Sequence, residues 1–482
     1  MQPATPADVP VFRYLALGDT DDIGASCHHL EVGGTGIVLD VGMDPEADGA
    51  EAVPPLDLIQ GKPVDHVIVT HAHHDHLGSL PVLVTRHPHA RVHMTEATQM
   101  ISDVLLPSSA RLQRRRLREG SATAAPAYDV ETAEGLAYLI EPHRYDRAFD
   151  LEGGSTDQSV RLEATLYDAG HVLGSAGVLI EADDVTAGTS RTLYYTSDTQ
   201  LQNQAILPGA DLPDGPIDVL LLESTLGADP DAEHVTRKSQ EKAFGEAIAK
   251  VLARGGTVLV PTFALGRAQE VLAMIDRFKR RGVVPKEVPV YTAGQMRAMA
   301  DIYDKTRTTT PRLNPEFEVF GVEQERLPRS DQRLFQLLQK PGIHVVSSGM
   351  LFERTLSNVI ARQLAGDAKH GIFFVGYSKE GSPGDALLQA AARREEEGLD
   401  EVDVKLAQDE EPQPLRAEVG RFRFSGHSHR RELLSLVEKL KPRKVVLVHG
   451  ETAAKTWMAD NIRYFHPDVE VIVPAHGEPV DL

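Results

Sequence analysis

The chain of 482 residues contains a single cysteine, Cys27. One cysteine excludes an intramolecular disulfide, and it also excludes a cluster of metal-binding thiolates. We therefore expect a protein of the reducing cytoplasm. Any metal site must be built from histidine, aspartate and glutamate side chains.

Long apolar runs are also missing from the sequence. No stretch approaches the roughly 18 to 20 apolar residues that a membrane-spanning helix needs. Residues 1–10 have neither a basic start nor an apolar core, so we expect no secretory signal and no membrane partner. The length alone predicts two domains or more, because one hydrophobic core rarely serves a chain of this size.

Positively charged residues are also fewer than negatively charged ones. The sequence has 50 lysines and arginines against 71 aspartates and glutamates, which gives a net charge of -21. This balance disfavours tight non-specific binding to nucleic acid, because phosphates require local positive potential. A basic groove is still open, and bound metal ions would add positive charge. We interpret the basic segment Arg111–Arg118 as a solvated surface rather than an RNA groove.

Histidine, in contrast, is concentrated directly after a run of β-type residues at Val67–Val69. Within six positions the chain carries His71, His73, Asp75 and His76. Alternate positions such as His71 and His73 fall on one side of an extended loop, and Asp75 and His76 can face a second metal beyond it. Imidazole and carboxylate ligands suit zinc.

Three other predicted strands end in a residue that can bind a metal, namely His171, Asp198 and His449. Functional loops of α/β sheets follow the carboxyl ends of strands, so these residues are candidates to complete the ligand set. Taken singly, His171 also fits a loop histidine, Asp198 a turn former and His449 a core histidine.

The coarse pattern predicts one α/β unit interrupted by another. Short strands dominate up to Leu222, and strands alternating with helices between residues 239 and 375 indicate a parallel sheet with crossovers. After Arg421 the pattern of the first part returns. The acidic stretch Arg393–Pro414 is interpreted as a solvated edge.

Eleven short blocks spread over the chain resemble conserved motifs of the metallo-β-lactamase superfamily and, more narrowly, its β-CASP group of nucleases. That group includes the mRNA 3′-end-processing endonuclease subunit and related bacterial and archaeal RNases. The first five blocks are shared across the superfamily, and the later ones are typical of the β-CASP group. The blocks are Gly24–Cys27, Leu39–Gly42, Thr70–His76, Ala169–His171, Thr196–Asp198, Leu222–Thr225, Pro261–Gln269, Ser347–Met350, Gly376–Gly384, Ser425–His427 and Val448–Glu451.

The resemblance implies a four-layer αββα metallo-β-lactamase fold with an inserted α/β β-CASP domain. We expect residues 1–230 to form the first part of the metallo-β-lactamase domain, residues 231–417 the insertion, and residues 418–482 the C-terminal part. The insertion is expected to cover the metals and to hold the phosphate backbone of a substrate.

The resemblance also implies two zinc ions per chain. One zinc would be held by His71, His73, His171 and Asp198. The other would be held by Asp75, His76 and His449, with Asp198 bridging the two. Asp40 would orient the histidine loop by hydrogen bonding, which keeps an imidazole in the tautomer that metal binding needs.

The function implied is a phosphodiesterase acting on RNA, an endoribonuclease with scope for 5′-exonuclease activity, in which a metal-bridged hydroxide attacks phosphorus. His427 is the expected acid for the leaving oxygen, oriented by Glu223, and Asp75 is counted with the catalytic residues as well as the ligands. The predicted phosphate-binding residues are Arg267, Ser348, Lys379 and Ser382.

Three departures from the family pattern bear on substrate handling. Ser428 and His429 follow His427 where a small residue and then aspartate are usual, Thr199-Gln200 follows Asp198, and the glycine-rich loop reads Lys379-Glu-Gly-Ser-Pro-Gly384. Two other functions stay open: hydrolysis of a small nucleotide, ester or thioester, and a catalytically silent RNA-processing scaffold. A homodimer, as in relatives, is a further expectation.

Overall fold

The computed structural model describes residues 10–18, 24–153, 159–408 and 410–482. The chain divides into two compact units. The first comprises Met1–Gln202, Gly209–Glu233 and His427–Leu482, and the second comprises Asn203–Pro208 and His234–Gly426. The sequence places the corresponding boundaries after residues 230 and 417. We call the two parts the first unit and the insertion unit.

The strands are short, as expected for sheets joined by many turns. They are β1 (Arg13–Ala16), β2 (His28–Val32), β3 (Thr35–Leu39), β4 (His66–Ile68), β5 (Arg91–Thr95), β6 (Ile140–His143), β7 (Phe149–Asp150), β8 (Val160–Asp168), β9 (Ala176–Asp184), β10 (Thr189–Tyr195), β11 (Val219–Glu223), β12 (Thr257–Pro261), β13 (Val290–Thr292), β14 (Glu325–Arg326), β15 (Gly342–Val346), β16 (Gly371–Phe374), β17 (Val402–Val404), β18 (Gln413–Leu415), β19 (Glu418–Arg421), β20 (Lys444–Val448), β21 (Glu470–Ile472) and β22 (Pro479–Asp481).

The α-helices range from a single turn to 23 residues. They are α1 (His74–Leu77), α2 (Leu80–Arg86), α3 (Glu96–Arg118), α4 (Val130–Gly135), α5 (Arg237–Ala253), α6 (Arg267–Arg280), α7 (Gln295–Lys305), α8 (Asp331–Leu338), α9 (Leu356–Leu364), α10 (Pro383–Glu396), α11 (Arg430–Leu440) and α12 (Thr452–Phe465). Short 3-10 helices occur at Gly49–Ala52, Leu56–Ile59, Leu136–Tyr138 and Asp231–Glu233.

The first unit contains two seven-stranded sheets, in the orders β22-β1-β2-β3-β4-β5-β6 and β21-β20-β11-β10-β9-β8-β7. Their inner faces share one core, in which Leu30 and Ile37 of the first sheet pack with Leu166, Val178 and Leu221 of the second. β3 and β11 are buried along their whole length, which fits their apolar runs at residues 37–39 and 219–222.

Helices cover the outer faces of both sheets. Leu433 and Leu436 of α11 and Met458 of α12 form a second core with Leu220 and Leu447 of the second sheet. On the first sheet, α3 contacts β5 and β6. The layers of the first unit are therefore helix, sheet, sheet and helix.

The insertion unit is built on a six-stranded sheet in the order β14-β13-β15-β12-β16-β19, in which every neighbouring pair is parallel. Helices α8, α9 and α10 pack on this sheet through Leu334, Ile360 and Leu387. The predicted parallel sheet with crossovers is confirmed.

Two local predictions can be compared with the structure. The segment Arg111–Arg118 is the last part of α3 and is largely exposed, as expected of a solvated surface. The stretch Arg393–Pro414 is not merely a solvated edge. Its described residues include the end of α10 and a small β17-β18 sheet that buries Val402 and Val404. Among the described residues, no helix is long and apolar enough to cross a membrane.

Candidate metal centre

The histidine cluster lies where β4 passes into the one-turn helix α1. Three backbone hydrogen bonds connect this loop to neighbouring segments. The carbonyl oxygens of His74, Asp75 and His76 accept from the amides of Met43, Ser26 and Val41, respectively. In a helical turn, successive side chains are rotated by about 100°. The residues after His73 therefore no longer alternate between two sides as they would in an extended segment. The loop therefore directs its histidines to two neighbouring places.

Three other candidate residues follow neighbouring parallel strands of the second sheet. Asp198 comes just after β10, Glu223 ends β11, and His449 follows β20. Because β10 pairs with β11 and β11 with β20 in parallel register, their carboxyl ends meet at one edge. Ser197 and His449 have φ values of 50° and 47°, a left-handed conformation that turns the chain abruptly at the strand end.

The candidate ligands form two groups around Asp198. Ligand atoms of His71, His73, His171 and Asp198 lie within 4.8 Å of one another, as do those of Asp75, His76 and His449. Asp198 Oδ2 lies 3.7 Å from His71 Nε2 and 3.6 Å from His171 Nε2. Its Oδ1 lies 3.4 Å from His76 Nε2 and 3.2 Å from His449 Nδ1. The carboxylate thus presents one oxygen to each group.

The donor atoms in this cluster fit a metal. Within the described part of the chain, His71 Nε2 and Asp198 Oδ1 are buried without a hydrogen-bond partner, which is costly unless a cation satisfies them. His76 Nε2 and His449 Nε2 face each other at 3.2 Å. Two imidazole lone pairs at this distance require a proton or a cation between them. The cluster therefore supports a metal cofactor.

The pKa shifts of the clustered residues differ in direction. Burial lowers the pKa of His71 well below its ordinary value. Burial acts the same way on His76, but the carboxylates of Asp198 and Asp40 outweigh it and raise its pKa well above the ordinary value. Burial also opposes ionisation of Asp75, but its hydrogen bond with His449 and the charge of His76 hold the pKa below the usual range.

Asp40 fixes the orientation of His76. It is fully buried after β3, and its Oδ2 accepts from His76 Nδ1 at 2.8 Å and from the Tyr195 hydroxyl at 3.0 Å. Oδ1 accepts from the amide and hydroxyl of Thr70 at 2.7 and 2.9 Å. Because His76 Nδ1 donates its proton to Asp40, Nε2 carries the lone pair toward the cluster.

A chain of buried hydroxyls extends the support of Asp40 into the core. The Tyr195 hydroxyl lies 3.3 Å from Ser26 Oγ, which lies 3.2 Å from His28 Nε2. His28 Nδ1 lies 2.9 Å from the Tyr14 hydroxyl. These contacts place Tyr195 between the carboxylate and the interior of the sheet sandwich.

His427 and Glu223 are paired beside the cluster. His427 Nδ1 lies 3.2 and 3.3 Å from the two Glu223 oxygens, and its ring is 4.6 Å from that of His171. Burial lowers the pKa of His427, but Glu223 and Asp198 outweigh it and raise the pKa. The side chain is 21% exposed, so solvent reaches it.

Two of the three departures from the family pattern contact each other here. Gln200 Nε2 donates to the His427 carbonyl at 2.9 Å, and the Ser428 amide donates to the Thr199 carbonyl at 2.7 Å. The Thr199 amide in turn donates to Glu223 Oε1 at 2.7 Å. These residues tie the strand end after Asp198 to the backbone of His427 and to its carboxylate partner.

His429, which stands where the family has aspartate, directly precedes α11 as its N-cap residue. Its amide donates to Glu432 Oε2 at 3.1 Å, and Glu432 Oε1 accepts from Gln202 Nε2 at 2.6 Å. Glu432, in the first turn of α11, therefore satisfies the amide of the N-cap residue, as in a capping box.

The predicted phosphate-binding residues all lie in the insertion unit. Arg267 begins α6 but is buried, with 7% of its surface exposed. Its guanidinium donates to the Phe424 carbonyl at 2.7 Å and to the side-chain oxygen of Gln204. Burial lowers its pKa to about 10. Two N–H groups of Arg267 are thus bonded within this unit. Its role in phosphate binding stays a prediction.

The other three residues of this set lie on loops. Ser382 caps α10 by accepting from the Asp385 amide at 3.2 Å, and Lys379 is half-buried in the same loop. Ser348 Oγ accepts from the Phe352 amide at 3.4 Å. Their roles in phosphate binding also stay predictions.

The sequence analysis missed the residues that support the ligands. Tyr195 lies three positions before Asp198, and Thr225, whose hydroxyl is 3.0 Å from His449 Nδ1, lies two positions after Glu223. Their nearness to strand ends was a usable signal. The role of His28 had no signal in the sequence. Ser26 lies in the block Gly24–Cys27, but its contact with Tyr195 depends on the packing of distant parts of the chain.

Comparison with models of known protein families identifies the family of this chain. Residues 21–220 match the model of the metallo-beta-lactamase superfamily, and residues 268–387 match that of the Beta-Casp domain. The chain belongs to the metallo-β-lactamase superfamily, in its β-CASP group. Residues 412–474 of this β-CASP protein match a model described as the Zn-dependent metallo-hydrolase RNA specificity domain. The predicted fold class is confirmed.

Curated relatives are named as an endoribonuclease and as a cleavage and polyadenylation factor. The chain is 31% identical to the endoribonuclease ysh-1 of Neurospora crassa, over 93% of this chain and 53% of that protein. It is 30% identical to the cleavage and polyadenylation specificity factor 73 of Drosophila melanogaster, over 90% of this chain and 59% of that protein. It therefore spans little more than half the length of these relatives.

A relative of similar length is the RNase J-like protein of Methanocaldococcus jannaschii, with 29% identity over 95% of this chain and 98% of that protein. Among solved structures, a protein of unknown function from Enterococcus faecalis V583 matches with a TM-score of 0.55 at 13% identity. The match covers 98% of this chain and 100% of that chain, and it supports the fold alone.

Proposed function

We propose that this β-CASP protein is a zinc-dependent endoribonuclease. The observation that carries the proposal is the two-part ligand cluster shared by Asp198, with the His427–Glu223 pair beside it. A nuclease needs positive charge at the phosphate and a proton donor for the leaving oxygen, and this arrangement brings both requirements to one place. The names of the curated relatives support RNA as the substrate.

Two zinc ions are proposed for the cluster. The first is assigned to His71, His73, His171 and Asp198, and the second to Asp75, His76, His449 and Asp198. Ligands of nitrogen and oxygen type favour zinc, and the description of the matched RNA specificity domain names it. When bound, two zinc ions would acidify a water and neutralise charge on a phosphate.

The residues of the chain supply orientation and proton transfer. Asp40 holds the tautomer of His76, and Asp198 keeps the two ligand groups in register. Glu223 accepts from His427 Nδ1, which leaves Nε2 to donate a proton to the leaving oxygen. Because Glu223 is fully buried, it has one fixed position from which to orient the imidazole.

The test uses zinc-loaded protein with four substrates: 5′-labelled linear RNA, circular RNA, single-stranded DNA and bis-p-nitrophenyl phosphate. We expect cleavage of both RNAs, because only an internal cut can open a circle. His73→Ala should abolish cleavage together with part of the bound zinc. Turnover of the small ester alone would overturn the nuclease assignment in favour of a small-substrate hydrolase.

A second arm examines the proposed acid. His427→Ala should retain the zinc content of the wild type and reduce turnover roughly 10²-fold or more, because a positioned proton donor contributes about this much. Loss of zinc from this variant would place His427 among the ligands instead. Full zinc content without cleavage of any substrate, in the wild type, would indicate a silent scaffold.

A further inference from the structure

A second group of histidines lies on one face of the first sheet, apart from the residues assigned above. His66 is on β4, His93 on β5 and His143 on β6, three neighbouring parallel strands. His93 pairs directly with Glu141 in register, and His143 follows two positions later on the same face. Parallel pairing thus gathers three imidazoles and a carboxylate.

The hydrogen bonds along this group run in one direction. A backbone carbonyl can only accept, so His66 Nε2, which lies 3.0 Å from the Glu152 carbonyl, must carry a proton. In its neutral form His66 Nδ1 is then an acceptor for His93 Nε2 at 3.0 Å. His93 Nδ1 consequently bears a lone pair.

That lone pair is directed at the two outer members of the group. His143 Nε2 lies 2.9 Å from His93 Nδ1, and ligand atoms of His93, Glu141 and His143 lie within 4.8 Å of one another. His93 is fully buried, whereas His143 and Glu141 are partly exposed. An ion can therefore reach the group from solvent and meet a ligand whose tautomer is already fixed.

We propose that His93, Glu141 and His143 form a separate site for a divalent transition-metal ion such as zinc. The buried imidazole donates its other N–H to His66, and His66 is anchored on a carbonyl. This is the support that metal-binding histidines characteristically have. Two imidazoles and one carboxylate suit zinc rather than magnesium or calcium.

The local charges define how strongly the site binds. Burial, then His66 and His143, lower the pKa of His93 to about 3. Arg91 opposes the metal, because Nε and Nη2 donate to the two Glu141 oxygens at 2.8 and 2.7 Å. We expect binding weaker than at the cluster around Asp198.

The test counts bound zinc in the full-length protein by equilibrium dialysis against buffered zinc and elemental analysis. His143→Ala should bind one zinc ion fewer per chain than the wild type. The half-exposed position of His143 makes this variant compatible with folding. Glu141→Gln is the second variant and should weaken the same zinc ion roughly tenfold or more. His89→Ala removes an exposed histidine of the same unit and should bind as the wild type does.

The test compares the zinc content of each variant with that of the wild type. The expected difference of one ion does not depend on how many ions the cluster around Asp198 holds. Zinc content that is equal in wild type, His143→Ala and Glu141→Gln would overturn the proposal. The three histidines would then be a hydrogen-bonded chain only.

Discussion

At the residue scale, the hydrogen bonds to Asp40 offer the most direct test of the site. Its carboxylate accepts from Thr70, His76 and Tyr195 in a fully buried position. Removing one donor leaves a buried charge less satisfied, and the orientation of His76 depends on that charge. Outer partners of metal ligands typically contribute 10- to 100-fold in metal affinity.

We expect Tyr195→Phe to weaken zinc retention roughly tenfold, because it removes the hydroxyl between Asp40 and Ser26 without changing the shape of the side chain. Competition with a chelator of known affinity measures this directly. Tyr194→Phe is the matched control, since Tyr194 is equally buried on the opposite face of β10 and packs in the core with α11 and α12. Equal retention in both variants would contradict a positioning role for Tyr195.

At the scale of elements, the histidine loop depends on a close backbone approach at Gly42. A Cβ atom built there would lie 1.8 Å from the carbonyl oxygen of Asp75. Gly42→Ala must therefore push α1 away from the strand-end loop that holds it. We expect loss of bound zinc and a lower unfolding temperature, measured by elemental analysis and calorimetry.

The control for Gly42 is Gly135→Ala. Gly135 ends α4, and a Cβ atom there would meet nothing within 4 Å. Alanine in open helical space is neutral or slightly stabilising. A wild-type zinc content in both variants would show that the loop adapts without disturbing the ligands.

Arg267 leads to a different expectation for the insertion unit. Its guanidinium joins Gln204 to the Phe424 carbonyl in a buried position, so Arg267→Met should destabilise the protein by about 2–4 kcal/mol. Urea unfolding measures this loss, and Arg281→Met at an exposed position is the control. Unchanged stability with a large rise in KM for RNA would instead support the predicted phosphate role.

Part of the site could be predicted from the sequence. Spacing and strand ends were sufficient to nominate His71, His171, Asp198 and His449, because each follows a predicted strand. Asp198 and His449 converge because they follow strands of one parallel set. The burial of Arg267 was not predictable, since its partner Gln204 lies outside the continuous insertion. The linkage between Gln200 and the backbone of His427 likewise required the fold.

At the scale of the whole molecule, the chain has a net charge of -21 and places several carboxylates around one buried cluster. Without metal ions, the buried carboxylates of Asp198 and Glu223 lie close together. Removing zinc should therefore lower the unfolding temperature, and adding it back should restore stability. A free zinc concentration of about 100 times Kd stabilises by about 2.7 kcal/mol per site.

Differential scanning calorimetry after dialysis with a chelator, followed by stepwise addition of zinc, checks this expectation. His73→Ala should respond less than the wild type, because one ligand group is incomplete. An unfolding temperature that does not depend on zinc would contradict the assignment of the cluster as a metal centre.

The spread of the ligands along the chain has a consequence for synthesis. His71 is synthesised well before His449, because the entire insertion lies between them in the sequence. At about 5–20 residues per second this interval lasts on the order of tens of seconds. Throughout that time the nascent chain has an incomplete set of ligands. The proposed nuclease would thus become active only after the insertion unit and His449 have been translated.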